Sequence, residues 1–315
     1  MALNYGALTA LTRDKYVPKL VDNFFKSTPL LAMLRDRQKE WNGGPAIVEP
    51  LIHGELSGGT SFSGYDTVTY PQTTPITAAK FDPKFLVQPV IIADTEVEQN
   101  TGPEQVLSLL EAKMEIARLT LSKLFSSQLY ADGTGNSGKD ITGLGAVLSA
   151  SSTYGGIAVA DMPTWAAQVN ALSPAQPLTT SLMRKMFLDC SDGNDKPDVI
   201  ITTKALWNRY AELAEGRITV TSSVGEKLAS LGFQVLEFMG VPVVHDADCP
   251  AGYMYFLNTK YLQLRVSPRM NFTATKWHRA DNMIADKCEI LWGGNLTCSQ
   301  RRRQGLITGL DESGY

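Results

Sequence analysis

TGPEQVLSLLEAKMEIARLTLSKLFSSQLYA, residues 101–131, is the stretch from which the rest of the chain can be read. Thr101 and Glu104 have the S/T-x-x-E spacing of a capping box, and Pro103 falls in the first turn, where its missing N–H costs nothing. Leu107, Leu110, Met114, Ala117, Leu121 and Leu124 then recur at alternating steps of three and four, the period of one helix face. Leu109, Ile116 and Phe125 widen that stripe, which is expected in the subunit's own core. Glu104, Ser108, Glu111, Glu115, Arg118, Ser122 and Ser126 form a polar stripe opposite. Asp132-Gly133-Thr134-Gly135 ends the helix. Roughly 30 residues at a 1.5 Å rise predict a rod of about 45 Å. A coiled coil fits poorly, because the pattern breaks at Gln128 and the flanking charges are not consistently paired.

Upstream, residues 1–42 read as a leading arm. Tyr16, Val17, Leu20, Val21, Phe24 and Phe25 are apolar at near-helical spacing, and Thr28-Pro29 opens a short helix through Leu34. So short an arm has no core of its own and must lie on the rest of the chain or on a neighbour. Ala46–His53 and Lys84–Val97 read as extended segments, interrupted by Pro50, Pro83 and Pro89 as edge strands are. Between them, Gly54–Lys80 is dense in Gly, Ser, Thr and Pro and holds almost no aliphatic residues. This predicts a long β-hairpin with a polar end, because a structureless loop of that length inside a compact domain is unusual.

Downstream, Gly138–Ile157 reads as loop. An α/β region follows: helix Leu178–Cys190, buried strand Pro197–Thr202, helix Lys204–Ala214, then short strands Phe233–Phe238, Val241–His245, Tyr253–Asn258 and Tyr261–Val266. Residues 270–308 are β again. Lys287–Trp292 and Asn295–Ser299 flank Gly293-Gly294, a two-residue hairpin signal. In that register Cys288 and Cys298 point to opposite sheet faces, and no disulfide joins them.

Composition bounds the function. Of 315 residues 43% are apolar and 19% charged, which describes a folded protein with a sizeable core. The formal net charge of −3 argues against gripping nucleic acid by bulk charge. No apolar run is long enough to span a membrane, and the N-terminus lacks the pattern of a signal peptide. The cysteines, Cys190, Cys249, Cys288 and Cys298, are scattered with no C-x-x-C, as in a protein made in a reducing compartment.

No chemistry emerges from the motifs. Gly133–Gly138 spells G-x-G-x-x-G, but a dinucleotide loop needs a strand before it and a helix after it. Here the motif follows a helix, whose C-terminal dipole end repels phosphate. His53, His245 and His278 lie in three separate sections; Asp281 and Cys288 near His278 are a weak ligand set. Asp246 and Asp248 after His245 read as a turn. Asp192-Gly-Asn-Asp195 lacks the later acidic ligands of a calcium loop. No catalytic residue, metal or cofactor is expected. Arg301-Arg302-Arg303, the one dense basic run, is read as a contact for DNA or for a neighbouring subunit.

An apolar arm, an exported hairpin, a long rod, an α/β lobe and a closing β-section follow one another, and several lack internal partners. In this order the parts resemble the tailed-phage major capsid proteins of the Hong Kong 97-like shell fold. Lys196-Pro-Asp-Val-Ile-Ile-Thr-Thr203, Phe238-Met-Gly-Val-Pro-Val-Val-His-Asp246 and Gly252-Tyr-Met-Tyr-Phe-Leu-Asn258 look like that family's axial-domain sequence. The resemblance covers essentially the whole chain and implies an α+β fold. Its parts are an N-terminal arm (1–42), an extended hairpin loop (43–99), a peripheral domain with the spine helix (100–137), an axial domain (138–267), and peripheral strands with the C-terminus (268–315).

The resemblance further implies a structural protein and not an enzyme, assembled in the host cytoplasm as hexamers and pentamers into an icosahedral virion shell. Implied partners are a portal protein, decoration or cement proteins, packaged double-stranded DNA held by weak non-specific contact, and no membrane. No long helical segment precedes the shell body, which implies a separate scaffolding protein. The covalent Lys–Asn cross-link of the type member has no placeable counterpart. Expected intersubunit contacts are Ser57, Thr60, Phe62, Tyr65, Tyr70, Lys80 and Lys84 on the hairpin and Glu111, Glu115 and Arg118 on the spine. Two other readings are an encapsulin-type nanocompartment shell, which shares the fold, and an α/β nucleotide-binding enzyme using the Gly133–Gly138 loop.

Overall fold

The structure is a computed structural model and describes residues 28–72, 74–99, 109–214, 225, 229, 235–280 and 283–313. The expected capping box at Thr101 and Glu104, Leu107, the apolar arm from Tyr16 to Phe25, Phe233 and Asp281 lie outside those residues. The chain divides into two compact units, one of Leu86–Leu124 with Arg269–Trp292, the other of residues 28–85, 125–268 and 293–313.

The larger unit opens with helix α1 (Pro29–Asp36), which starts at Pro29 as expected. Strand β1 (Gln38–Glu40) then pairs in parallel with β10 (Leu262–Ala274), Gln38 opposite Leu264. β2 (Ile47–Ile52) and β3 (Ile76–Phe81) form an antiparallel two-stranded sheet from Ile47↔Phe81 to Ile52↔Ile76. The described residues between Ile52 and Ile76 form no regular element beyond that ladder. A hairpin is therefore present, but its second strand is β3, largely inside the stretch read as the polar end, and not the segment from Lys84, which pairs elsewhere.

The α/β lobe is a mixed six-stranded sheet in the order β5 (Gln168–Gln176), β13 (Gly305–Leu310), β9 (Met254–Leu257), β6 (Val199–Thr202), β8 (Val241–His245), β7 (Leu236–Phe238). β6 and β9 are buried at every position, because both sheet faces are covered. On one face Ile200, Met254, Phe256 and Ile307 pack with Met183, Met186 and Phe187 of helix α6 (Thr180–Cys190) and with Leu206 and Tyr210 of helix α7 (Lys204–Leu213). Thr179 and Thr203 cap those helices by accepting the N–H of Leu182 and Leu206, as N-cap hydroxyls do. On the other face the Tyr255 ring meets Tyr130, at 5.5 Å between centroids.

Strand β13 corrects the expected division at residue 268. It pairs in parallel with β5 and antiparallel with β9, so the C-terminal strand completes the lobe's sheet instead of staying with the peripheral strands. β5 itself escaped the sequence reading, since a polar edge strand carries little periodic signal.

A second correction concerns Gly293-Gly294. β12 (Ala285–Cys298) is one continuous strand through both glycines. A type I′ turn needs positive φ at both central residues, and neither glycine has it. Trp292 to Cys298 are all buried, so the glycines lie inside a covered strand and not at an exposed turn. Cys288 and Cys298 are free, as expected, but because they stand ten residues apart on one strand.

In the smaller unit, β11 (His278–Arg279) pairs with β12, Arg279 opposite Asp286. β4 (Lys84–Ala93) also pairs with β12. The extension expected to Val97 stops at Ala93, where helix α2 (Asp94–Gln99) begins. The spine is helix α3 (Leu109–Tyr130) over its described length. Single turns follow it at Gly135–Gly138 (α4) and Leu144–Val147 (α5). β4, α3, β10 and β12 contribute residues to both units.

Candidate assembly interface

The hairpin is pinned at its root by interactions that the sequence does not announce. Glu49 occupies an inward slot of β2 between Ile47 and Leu51, and its Oε1 accepts both Nε and a terminal nitrogen of Arg265 at 2.7 Å. Thr297 Oγ1 donates to the same oxygen at 3.1 Å. Asn295 Nδ2 donates to the Asp82 carbonyl at 2.8 Å and holds Thr142 on both of its amide atoms. Lys80 N–H donates to Gly155 O at 2.8 Å. Gly155 has φ of +59°, and a Cβ there would meet Ala79 Cβ at 2.7 Å, so only glycine lets β3 come this close. A charged residue inside an alternating strand was the one available sign of Glu49's role.

Beyond that root, the hairpin presents side chains with nothing over them. Val48 and Ile52 on β2, Leu56, Phe62, Tyr65 and Tyr70 in the connection, and Ile76 on β3 are all exposed, Tyr65 fully so. The outward face of β4 continues the pattern with Phe85, Val87, Pro89 and Ile91. So much exposed apolar surface is the mark of an interaction site. The expected contacts Ser57, Thr60, Phe62, Tyr65, Tyr70 and Lys80 all stand in this exposed set. Lys84 is half-buried instead, with Nζ on the Gly138 carbonyl at 2.5 Å.

On the spine, Glu111, Glu115 and Arg118 face solvent, Arg118 standing 4.0 Å from Glu115. Nearby, Lys113 pairs with Glu96 at 2.6 Å, and the Lys113 hydrogen bond holds the Glu96 carboxyl below its ordinary range. Arg279 grips Asp94 with two bonds of 2.7 Å and depresses that carboxyl likewise.

The apolar stripe of the spine is only partly core. Ala117, Leu121 and Phe125 are buried, while Leu110 is 46% exposed and Leu124 40%. Leu110 lies within about 20° of Leu121 on the helical wheel, so the core ends along the axis before reaching it. Ile116 points about 140° away and is exposed. At the other end Phe125, Ser126, Gln128, Leu129 and Tyr130 are buried and Ser127 stays exposed, so Ser126 leaves the expected polar stripe. Tyr130 Oη donates to Asp246 at 2.8 Å, and Asp246 also accepts N–H bonds from Leu30, at the start of α1, and from Asp248. Burial pushes the Asp246 carboxyl up.

The triple arginine is not a uniform basic surface. Arg301 is fully buried, and its guanidinium donates to the carbonyls of Ala146, Val147, Ser149 and Ser152. That corrects its expected contact with DNA or a neighbour: the guanidinium is taken up by carbonyls of the loop after the spine, which no backbone ladder pairs. Arg303 pairs with Asp192 and lies 3.9 Å from Asp195, the two ends of the Asp192–Asp195 turn. Arg302 alone of the three is exposed.

The other motifs stay apart. Gly133–Gly138 follows α3 and holds two left-handed residues, Asn136 and Ser137, in place of a helix start. His53 is exposed, His245 packs its ring edge against Trp207, and His278 is 4.0 Å from Glu289. Among the described residues no group of three His, Cys, Asp or Glu side chains could hold a metal ion. No described helix is long and apolar enough to cross a membrane.

No protein-family model matches the chain, and no curated protein matches its sequence. Solved structures do. A chain of the cyanophage A-1(L) capsid asymmetric unit overlays with a TM-score of 0.74 at 21% identity, covering 98% of this chain and 99% of that one. The encapsulin of the holo-SrpI complex from Synechococcus elongatus PCC 7942 gives 0.63 at 10% identity, with 100% and 98% covered. The capsid of Myoviridae phage XM1 gives 0.59 at 14%, with 95% and 98% covered. The chain therefore has the Hong Kong 97-like α+β fold of tailed-phage capsid subunits, end to end.

Proposed function

We propose that the chain is the major capsid protein of a tailed double-stranded DNA bacteriophage, self-assembling as hexamers and pentamers into an icosahedral shell that encloses the genome. The end-to-end overlay on a phage capsid chain carries this reading. The hairpin supports it physically. Its root is fixed by Glu49, Asn295 and Gly155, while its apolar side chains find no cover in their own subunit. Ordering backbone costs about 1–2 kcal/mol per residue, and a neighbouring copy would supply the burial that offsets it. In this reading Ser57, Thr60, Phe62, Tyr65, Tyr70 and Lys80 meet the neighbour, with Glu111, Glu115 and Arg118 on its spine as polar partners. The proposed role is structural and not enzymatic.

The proposed partners are a portal protein, a separate scaffolding protein, decoration or cement proteins, and packaged DNA, with assembly in the host cytoplasm. Contact with DNA would be weak, since each phosphate contact adds salt-dependent affinity and the chain's net charge is −3. The likeness to an encapsulin favours a second reading, a bacterial compartment shell with protein cargo. Negative-stain imaging and sedimentation of protein co-expressed with its scaffold should show closed shells. Only stable monomers would overturn both readings. Nuclease-protected DNA inside particles made during infection separates the phage shell from the compartment, which would hold protein instead.

A further inference from the structure

The sequence holds one Asn-Gly pair, Asn42-Gly43, and the fold puts it at a joint. Upstream, β1 is held on β10 as far as Glu40↔Val266, and Trp41 N–H donates to Val266 O at 2.9 Å. Downstream, β2 is held on β3 from Ile47↔Phe81. Residues 42–46 between them belong to neither ladder. Asn42 and Gly43 are exposed, and among the described residues neither the Asn42 carboxamide nor the Gly43 N–H has a hydrogen-bond partner. Gly43 has φ of +109°, and a Cβ placed on it would meet nothing within 4 Å.

These features leave the Gly43 nitrogen free to reach the Asn42 side chain. Its N–H is not held in a ladder, and a residue without Cβ lets the backbone rotate into the attacking geometry. We propose that Asn42 is a self-modifying site, which the folded protein converts to aspartate and isoaspartate with water as the only co-reactant. The bond from Gly43 N to Asn42 Cγ forms, the Cγ–Nδ2 bond breaks, and ammonia leaves carrying the proton of the backbone amide. Water then opens the five-membered imide. Attack at Cγ restores the main chain and gives aspartate. Attack at the α-carbonyl gives isoaspartate, with the main chain rerouted through the side chain and one methylene longer. Either product puts a new carboxylate where the hairpin leaves β1, and the second also lengthens that joint. The proposal does not depend on the shell reading.

Two Asp-Gly pairs could form the same imide, and the structure holds both shut. Asp132 Oδ1 accepts the N–H and the hydroxyl of Thr134 at 3.0 and 2.7 Å, and Gly133 is pressed against Thr142 and Ile141. Asp192 pairs with Arg303 and exchanges two backbone bonds with Asp195. These contacts also keep both carboxyls ionised, and a carboxylate is a poorer electrophile than a carboxamide.

Residues 40–80 form one tryptic peptide whose single asparagine is Asn42, so its conversion can be read without ambiguity. The full chain is incubated at mildly alkaline pH beside a synthetic peptide of residues 40–80. Mass spectrometry follows amide loss, and isoaspartate-specific enzymatic methylation identifies the rerouted product. A segment that opens at almost no free-energy cost is unprotected, so the folded chain should convert within about tenfold of the peptide's rate. Asn42→Gln should abolish that conversion and leave the thermal transition unchanged. A folded-chain rate more than about tenfold below the peptide's overturns the proposal. So does conversion at Asp132 or Asp192 that outpaces Asn42.

Discussion

Replacing Arg301 with alanine would remove a guanidinium whose donors all serve its own subunit. Nε donates to Val147 O at 2.7 Å, one terminal nitrogen to Ser149 O at 2.8 Å and Ala146 O at 3.2 Å, and the other to Ser152 O at 3.2 Å. The guanidinium carbon also lies 5.1 Å from the Tyr154 ring centroid and 5.9 Å from that of Trp165. Hydrogen bonds to a charged group contribute about 1.5–3 kcal/mol each, so the four carbonyl bonds set an upper limit of about 6–12 kcal/mol. Against this stands the desolvation of a buried cation, several kcal/mol, which also pulls the Arg301 pKa down. Water entering the vacated space would satisfy part of the remainder. The net loss should be about 3–5 kcal/mol, read as a lower urea midpoint at unchanged slope. Arg301→Lys keeps the charge without the planar fork and should fall between alanine and the parent. Arg302→Ala, at an exposed position, should stay within about 0.5 kcal/mol. If Arg301→Ala cost less than about 1 kcal/mol and instead changed DNA retention in shells, the run would be a DNA-facing surface and the burial argument wrong.

Leu121→Ala should cost about 2–5 kcal/mol and the half-exposed Leu110→Ala less than about 1, a split checked by the same unfolding assay. Glu49→Gln should lose about 2–3 kcal/mol, below the range for a fully buried pair because Arg265 keeps some solvent access; a neutral result would show that the pair does not fix the hairpin root. Replacing residues 54–74 with a short Asn-Gly turn keeps the β2–β3 ladder, so the subunit's thermal transition should survive while sedimentation shows no stable shells. Normal-sized shells would mean the hairpin end clamps nothing. Asp246 titrates above its ordinary 3.8 when folded, so the native state binds the extra proton and this group's contribution falls as pH rises from that value through the folded pKa. Stability of Asp246→Asn minus that of the parent should therefore rise with pH in that window, measured by urea unfolding, and a flat difference would remove Asp246 as the cause.

Periodicity and punctuation were enough for the local elements. Pro29 started α1, the three–four spacing gave the spine, and the apolar runs of the lobe gave α6, β6, α7, β8 and β9 nearly to the residue. The polarity of Gly54–Lys80 marked that stretch as poor in core residues, although its last residues join β3. These are local signals, written in the residues that form each element. What tertiary structure decided was everything set by a distant partner. Gly293-Gly294 reads as a turn until it is known that both sides of β12 are packed. Arg301 reads as a surface charge until the loop whose carbonyls it holds is in place, more than 140 residues earlier in sequence. Leu110 and Leu121 obey one helical period, and only the extent of the core separates them. Burial depends on what lies opposite, and a one-dimensional pattern records which face a side chain shares but not how far along the axis that face is covered.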